Sequence, residues 1–229
     1  MKTISVTPPL RGNWTAVNTP GARIPSHGTH QFGQTYAYDF VRYQSVNNKD
    51  SFHSKSQFAY WTGQVRLSDC YGWGEPIYSP IDGVVREVVN FVKERQRVHQ
   101  VSDLGLAIYN GLFFSFEKGD VHKIGGNYLI IEGSECCAFI AHAKTGSILP
   151  KVGDVVKAGD FIAELGHSGN STAPHLHFHL MDRVDIRTAK GVPCSFTSYE
   201  VLSDGHWQPV RNGVPKSDKT IRFADQIIR

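Results

Sequence analysis

Residues 174–180 read Pro174-His175-Leu176-His177-Phe178-His179-Leu180. Imidazole and apolar side chains alternate here with the two-residue period of a β-strand, so the three histidines share one face about 7 Å apart. Neutral imidazole is a common zinc ligand and also a base that titrates near neutral pH. The stretch therefore predicts a strand that carries part of a hydrolytic zinc site. A solvent-facing amphipathic edge strand would show the same alternation and is the alternative.

The residues before this strand have the composition of a tight loop. They read Gly166-His167-Ser168-Gly169-Asn170-Ser171-Thr172-Ala173, a run of small and turn-forming side chains. Such a loop delivers the chain into the histidine strand and allows a substrate backbone to approach closely. We expect the side chain of His167 to be exposed there.

Strand signals dominate the rest of the chain, and helix signals are few. A β-branched run follows Asp82-Gly83, and further runs occupy residues 127–133 and 137–142. Residues 151–163 repeat short apolar pieces separated by Gly-Asp, which is typical of a hairpin corner. Many short strands joined by glycine-rich turns favour an antiparallel β-sandwich or barrel.

Composition sets further bounds on fold and function. The 229 residues, 40% of them hydrophobic, suffice for a sizeable core within one domain. A formal charge of +3 suits an anionic partner such as cell wall, but it is too small to indicate nucleic acid, and no basic run is interleaved with aromatic residues. The four cysteines form no C-x-x-C pair, so we expect free, buried thiols.

The sequence shows no pattern for membrane insertion or export. It lacks a run of eighteen apolar residues, which a spanning helix would need. Residues 1–9 lack the apolar stretch of a signal peptide. We therefore expect no membrane span and no signal peptide in this sequence, which leaves its export route and location open.

Five short motifs follow one another in a specific order. They are Pro80-x-Asp82-Gly83-x-Val85, Gly126-Asn127-Tyr128, Ala141-His142, Val152-Gly153-Asp154-x-Val156-x-Ala158-Gly159, and Gly169-x-Ser171-x-x-Pro174-His175-Leu176-His177-Phe178. Their order resembles that of the M23 zinc endopeptidases of the lysostaphin and LytM type. The resemblance covers residues 74–182 and a short piece near residues 25–42. It implies a mainly β fold, an antiparallel β-sandwich or barrel-sandwich hybrid of the LytM type with loop insertions.

The same resemblance suggests how the chain is organised. We expect residues 1–229 to form a single M23-like peptidase domain. Within it, residues 1–75 form an N-terminal elaboration that carries the first two zinc ligands, residues 76–182 the core β-domain, and residues 183–229 a C-terminal extension. Residues 90–122 exceed what a hairpin needs and predict a flap over a groove, with a short helix or extra hairpin as the alternative.

The resemblance implies one zinc ion per chain, bound by His30, Asp39 and His177. The family usually spaces the first two ligands as His-x-x-x-Asp, whereas Asp39 follows His30 by nine positions, so His27 stays open as the alternative first ligand. Two imidazoles and one carboxylate would leave the fourth position of a tetrahedral site for water. The family's non-ligand histidines correspond to His142 and His175, whose implied roles are proton transfer and oxyanion stabilisation.

His179 stands where the family commonly has glutamate. Because it shares the face of the other strand histidines, it is a candidate to support the site, and a packed or solvent-facing histidine is the alternative.

The implied reaction is hydrolysis of a peptide bond in the stems or cross-bridges of peptidoglycan. Such a reaction would place the protein outside the cell, in the periplasm or at the cell wall. A catalytically inactive relative that binds peptidoglycan or regulates another enzyme is the alternative, and it would purify without zinc. Residues 152–159 also resemble half of a biotinyl or lipoyl carrier motif, but residues 163–167 lack the lysine turn that carriers present.

Overall fold

The computed structural model describes residues 2–46, 49–105, 120–217 and 219–224. Within these residues the chain is built mainly from short β-strands. In chain order they are β1 Ile4–Val6, β2 Gly12–Asn18, β3 Tyr38–Val41, β4 Gln44–Val46, β5 Lys49–Ser51, β6 Val65–Arg66, β7 Pro76–Tyr78, β8 Gly83–Val89, β9 Arg97–Val98, β10 Asn127–Glu132, β11 Cys137–Ala143, β12 Val155–Val156, β13 Phe161–Glu164, β14 His175–Met181, β15 Gly191–Val192, β16 Cys194–Ser203, β17 His206–Gly213 and β18 Thr220–Phe223.

The helical segments are short. α-Helices span Gln57–Trp61 and Val121–Gly125, and residues 100–105 are also helical. 3₁₀ turns cover Gln31–Tyr36 and Leu67–Asp69. No helix among the described residues is long and apolar enough to cross a membrane.

One large sheet organises the described chain. Ten of its strands follow the order β1-β16-β18-β2-β3-β14-β11-β10-β8-β12, while β15 pairs with β14 and β17 pairs with β16. The pairs β7/β13, β4/β5 and β6/β9 form separate two-stranded ribbons. The histidine strand β14 therefore lies in the interior of the sheet, between β3 and β11.

An aromatic cluster forms the core behind this central region. Tyr38 and Phe40 of β3 stack with ring centroids 5.7 Å apart, and Phe178 of β14 lies 6.3 Å from Tyr38. Phe196 of β16 and Phe223 of β18 pack edge-on against Phe40. All five side chains are fully buried. The apolar faces of β3 and β14 are thus covered by strands from the C-terminal part of the chain.

The mainly β fold predicted from the sequence is confirmed, with two departures. The large sheet is mixed, because β1 runs parallel to β16 while all other strand pairs of this sheet are antiparallel. The hairpin predicted for residues 151–163 is wrong. β12 pairs with β8 in the large sheet and β13 pairs with β7 in a separate ribbon, so the two Gly-Asp turns direct successive strands into different sheets.

The large sheet draws strands from all three predicted segments of the domain. β1, β2 and β3 come from residues 1–75, and β15 to β18 come from residues 183–229. The segment boundaries at residues 75 and 182 stay a prediction. The flap predicted over residues 90–122 lies partly outside the described residues, which omit 106–119.

Replacing Phe196 by alanine should cost about 3–5 kcal/mol of unfolding free energy, because it opens a cavity among fully buried aromatic rings. Val155→Ala is the control, since that side chain is 76% exposed and its loss should change stability by less than about 0.5 kcal/mol. Urea denaturation of both variants measures the difference. A loss below about 1 kcal/mol for Phe196→Ala would show that β16 is not part of the stabilising core.

Candidate metal and catalytic centre

The candidate site lies on the face of β14 opposite the aromatic core. Strand register places His177 directly across from Asp39 of β3 on one side and Ala141 of β11 on the other. Because side chains alternate along a strand, His175, His177 and His179 project to the same face as Asp39. The three-histidine strand predicted from the sequence is therefore present, and its histidines face an acidic neighbour.

Asp39 lies at the centre of this face and contacts several of its side chains. Its Oδ1 lies 2.9 Å from His177 Nδ1 and 3.6 Å from His175 Nε2. Its Oδ2 lies 2.8 Å from His27 Nε2 and accepts a 2.7 Å hydrogen bond from the side chain of Asn18. A register shift in β2 puts Asn18 opposite Asp39. The carboxylate is thus surrounded by three imidazoles and fixed by an amide.

The structure brings three ligand-type groups to one point. One ligand atom each from His27, Asp39 and His177 lies within 4.8 Å of the other two. The predicted first ligand His30 is not among them, because its side chain is exposed and its Nδ1 lies 3.1 Å from Thr35 Oγ1. The geometry therefore favours the alternative, His27, and the identity of the first ligand stays a prediction.

The contacts of the loop before the first 3₁₀ turn explain why His27, and not His30, lies beside Asp39. Ser26 is buried, and its backbone N–H donates to Thr35 O at 3.1 Å. The Ser26 hydroxyl lies 3.1 Å from His27 Nδ1. This contact holds one nitrogen of the His27 ring and leaves Nε2 directed at Asp39. Sequence spacing alone favoured His30, because it could not show how this loop folds back.

His142 reaches the site through a break in strand alternation. Its neighbour Ala141 already faces the site, so a regular strand would direct His142 into the core. Instead, His142 has φ of 61°, and the register of β10 against β11 shifts beside it. Such irregularities re-aim a side chain. The His142 ring consequently lies 4.5 Å from the ring of His175, centroid to centroid.

Backbone carbonyls fix one nitrogen on each of these two rings. His142 Nδ1 lies 2.8 Å from Ser168 O, and His175 Nδ1 lies 2.8 Å from Ala173 O. Since a carbonyl only accepts, Nδ1 must carry the proton in both rings. Neutral His142 and His175 therefore keep Nε2 as a free lone pair.

His179 supports the ring of His177. It is fully buried, and its Nδ1 lies 3.1 Å from His177 Nε2. Because ionised Asp39 only accepts, His177 Nδ1 donates to it, and His177 Nε2 then accepts from His179 Nδ1–H. Partners of this kind fix the tautomer and orientation of a ligating histidine. The expectation that His179 shares the site face is thus met, and its ring is packed rather than solvent-facing.

Burial and mutual repulsion keep the central histidines neutral. Burial lowers the pKa of His142 and of His179 well below the usual value, and neighbouring imidazoles lower both further. Burial also lowers the pKa of His177, against the opposing effect of Asp39. For Asp39, burial favours the protonated form, but His27, His175 and His177 outweigh it and hold its pKa well below the usual range. At neutral pH, Asp39 is therefore charged, and His142, His177 and His179 are neutral.

A cavity of about 140 Å³ opens onto these groups. One side is polar and the other is apolar, the apolar side being formed by Phe32, Val121, Ile124, Phe139 and Ile186. Asp39 is the only charged carboxylate or cation of the described residues that line it. The cavity therefore surrounds a small space with one carboxylate and five imidazoles.

The glycine loop before β14 is more enclosed than its composition suggested. The expectation that His167 is exposed is wrong, because its side chain is fully buried. At Gly169, with φ of 69°, a Cβ atom would collide with the backbone of Gly126. These glycines let two segments of this chain approach one another, rather than a substrate. Sequence reasoning had no signal for that contact.

Comparison with known proteins identifies the sequence that forms much of this centre. Residues 106–190 match the model of peptidase family M23. That stretch contains His142, His175 and His177, whereas His27 and Asp39 precede it. The peptidoglycan DD-endopeptidase ShyB of Vibrio cholerae is 40% identical over 118 residues, which cover 45% of this chain and 27% of that protein. The chain thus spans about a quarter of the length of this curated relative.

Two solved structures show more distant similarity. The catalytic domain of the antimicrobial peptidase lysostaphin from Staphylococcus simulans is 18% identical with a TM-score of 0.38, covering 79% of this chain and 88% of that chain. A zinc containing peptidase from Vibrio cholerae is 27% identical with a TM-score of 0.32, covering 67% of this chain and 39% of that chain.

The metal-free protein should lose stability as the pH falls from about 7 to about 5. Histidines in the unfolded chain take up protons near pH 6.5, while buried His142 and His179 stay neutral to lower pH, so acid favours unfolding. Each such histidine contributes about 1.4 kcal/mol per pH unit below the unfolded pKa.

Denaturant unfolding at several pH values tests this dependence. The unfolding free energy of His179→Gln should change less steeply with pH than that of the wild-type protein. The difference in slope should be about one proton, or about 1.4 kcal/mol per pH unit. His206→Gln, at an exposed position, serves as the control. An unchanged slope in His179→Gln would show that His179 is not held neutral.

Proposed function

We propose that the protein, whose residues 106–190 match the model of peptidase family M23, is a zinc-dependent endopeptidase that hydrolyses peptide bonds in the stems or cross-bridges of peptidoglycan. The observation that carries this proposal is the joining of two sets of residues in one cavity. His27, Asp39 and His177 form the ligand group, and His142 and His175 stand beside it. The name of the Vibrio cholerae relative, a peptidoglycan DD-endopeptidase, supports the substrate class.

The donor set fits a catalytic zinc ion. Three protein ligands, drawn from imidazole nitrogen and carboxylate oxygen, are typical of catalytic rather than structural zinc sites. Metal ligands must be deprotonated, and the lowered pKa values of Asp39 and His177 leave both in that form at neutral pH. Asn18 and His179 would orient Asp39 and His177 from behind. When bound, zinc would supply Lewis acidity that activates water and polarises the scissile carbonyl.

The two remaining histidines would move the protons. With Nδ1 held by backbone carbonyls, Nε2 of His175 or His142 can accept a proton from the attacking water. The resulting imidazolium can hydrogen-bond to the developing negative charge on the carbonyl oxygen, and then return the proton to the leaving amine. The products are a carboxylate and a protonated amine, which carries both protons of the water. The apolar side of the cavity would exclude bulk water from this exchange.

Zinc content should follow the proposed ligand group of His27, Asp39 and His177. His27→Ala, Asp39→Ala and His177→Ala should each purify nearly free of zinc, while the wild-type protein holds about one zinc ion per chain. His30→Ala is the matched control, because His30 lies in the same loop region but contacts Thr35 instead of Asp39. Elemental analysis of the purified proteins gives the answer. Full zinc in His27→Ala, or loss of zinc in His30→Ala, would reject the assignment.

Removing a proton-transfer histidine should stop turnover without removing the metal. His142→Ala and His175→Ala should retain zinc but cleave peptidoglycan roughly 100-fold more slowly, the scale of a lost acid or base. The assay digests sacculi that differ in cross-bridge chemistry and measures the fragments by mass spectrometry, with exposed His206→Ala as control.

Two results of this assay would contradict the proposal. Near wild-type rates in both variants would dismiss the roles of His142 and His175. A zinc-loaded wild-type protein that releases no peptide fragment from any sacculus would instead favour the inactive, peptidoglycan-binding alternative.

A further inference from the structure

The side chain of Arg95 clamps the glycine loop from outside the metal group. Its Nη1 donates to Gly169 O at 3.0 Å, and its Nη2 donates to Ser171 O at 2.5 Å. The same Nη2 lies 3.2 Å from His167 Nε2. Next to it, Glu94 accepts a 2.6 Å hydrogen bond from the backbone N–H of His167. Two adjacent charged residues thus hold both ends of residues 167–171.

A buried carboxylate holds the guanidinium in place. Asp103 is 2% exposed, and its Oδ1 accepts a 3.0 Å hydrogen bond from Arg95 Nε. Its Oδ2 accepts the backbone N–H of His99 at 2.8 Å. One edge of the planar Arg95 guanidinium is therefore held by Asp103, and its other edge donates hydrogen bonds to the glycine loop.

The position of Arg95 favours one tautomer of His167. The donor Arg95 Nη2 lies 3.2 Å from His167 Nε2, closer than the acceptor Asp103 Oδ2 at 3.6 Å, and a guanidinium accepts no hydrogen bond, which favours a lone pair on His167 Nε2. The proton of neutral His167 then lies on Nδ1, which is 3.0 Å from Ser171 Oγ. Burial, together with the charge of Arg95, lowers the pKa of His167 despite Asp103, which favours this neutral form.

The arrangement continues from Ser171 to His175. Since Ser171 Oγ accepts from His167, its own proton is free to donate to Ala173 O, 2.6 Å away. His175 Nδ1 lies 2.8 Å from the same carbonyl and 3.2 Å from Ser171 Oγ. With both neighbours acting as acceptors, the proton of His175 is held on Nδ1. Its Nε2 then faces Asp39 as a lone pair.

We propose that Arg95 is a positioning residue that acts through His167 and Ser171 to hold residues 171–173 in place, so that Ala173 O and Ser171 Oγ accept from His175 Nδ1–H and its Nε2 is turned into the site. The proposal rests on the proposed function, in which His175 Nε2 accepts a proton. It adds to that function a series of hydrogen bonds that leads from Arg95, which lies outside the ligand group, to His175. A clamp that merely stabilises the loop would leave the His175 tautomer and its reactivity unchanged.

Nuclear magnetic resonance of the ¹⁵N-labelled, zinc-loaded protein tests the tautomer directly. Long-range ¹H–¹⁵N spectra distinguish protonated from unprotonated ring nitrogens, and comparison with His175→Ala identifies the His175 signals. Wild type and Arg97→Ala should show a single Nδ1–H form. Arg97 is the matched control, because it lies two positions from Arg95 but contacts Gly63 O. Arg95→Ala and Ser171→Ala should show a mixture of tautomers or a broadened ring signal.

Kinetics on the same variants give a second readout. Arg95→Ala and Ser171→Ala should keep their zinc and lower kcat by roughly 10-fold to 100-fold, with little change in KM, because a reacting group is misplaced while substrate contacts remain. In the His175→Ala background, Arg95→Ala should cause no further loss. If Arg95→Ala fails to fold, Ser171→Ala carries the same comparison with a smaller change.

An unaltered His175 spectrum in Arg95→Ala and Ser171→Ala would overturn the proposal, as would an equal loss of kcat from Arg95→Ala with and without His175. Near wild-type rates in His175→Ala would instead reject the proposed function of His175. The two failures are therefore distinguishable.

Discussion

The antiparallel pairing of β14 with β3 is the constraint on which the centre depends. It places His177 opposite Asp39 on one face and Phe178 opposite Tyr38 on the other. A shift of one residue would send the histidines into the core and the aromatic rings into the cavity. The buried aromatic cluster therefore fixes the register that the site requires. Its outer members, Phe196 and Phe223, lie in the C-terminal strands, so those strands support the chemistry without contacting it.

Concentrating polar groups on one buried face is costly unless each has a partner. Here a single carboxylate accepts from or faces His27, His175, His177 and Asn18, which keeps it ionised despite its burial. His142, His177 and His179 remain neutral because burial, and then the neighbouring imidazoles, lower the pKa of each ring. These protonation states are those that metal ligands and proton acceptors need at neutral pH. The same packing that builds the face thus prepares its reactivity.

Sequence patterns predicted the parts of the site that lie on regular strands. The alternation in residues 174–180 placed the three histidines correctly, since period two is a local property. The sequence favoured His30 as the first ligand, whereas the structure places His27 beside Asp39, because the choice depends on a loop held by Ser26 and Thr35. Burial of His167 was likewise missed, since it depends on Arg95 and Asp103. The left-handed backbone at His142 has no signature in the sequence, although the family resemblance pointed to that residue.

The most direct test of this account is anomalous diffraction at the zinc absorption edge from crystals of the zinc-loaded protein. The account predicts one strong peak per chain, bonded to His27 Nε2, an oxygen of Asp39 and His177 Nδ1, with His142 and His175 unbonded. A peak bonded to His30 in place of His27, or to His175, would contradict the ligand group. No peak at this face in zinc-saturated crystals would contradict the metal centre itself.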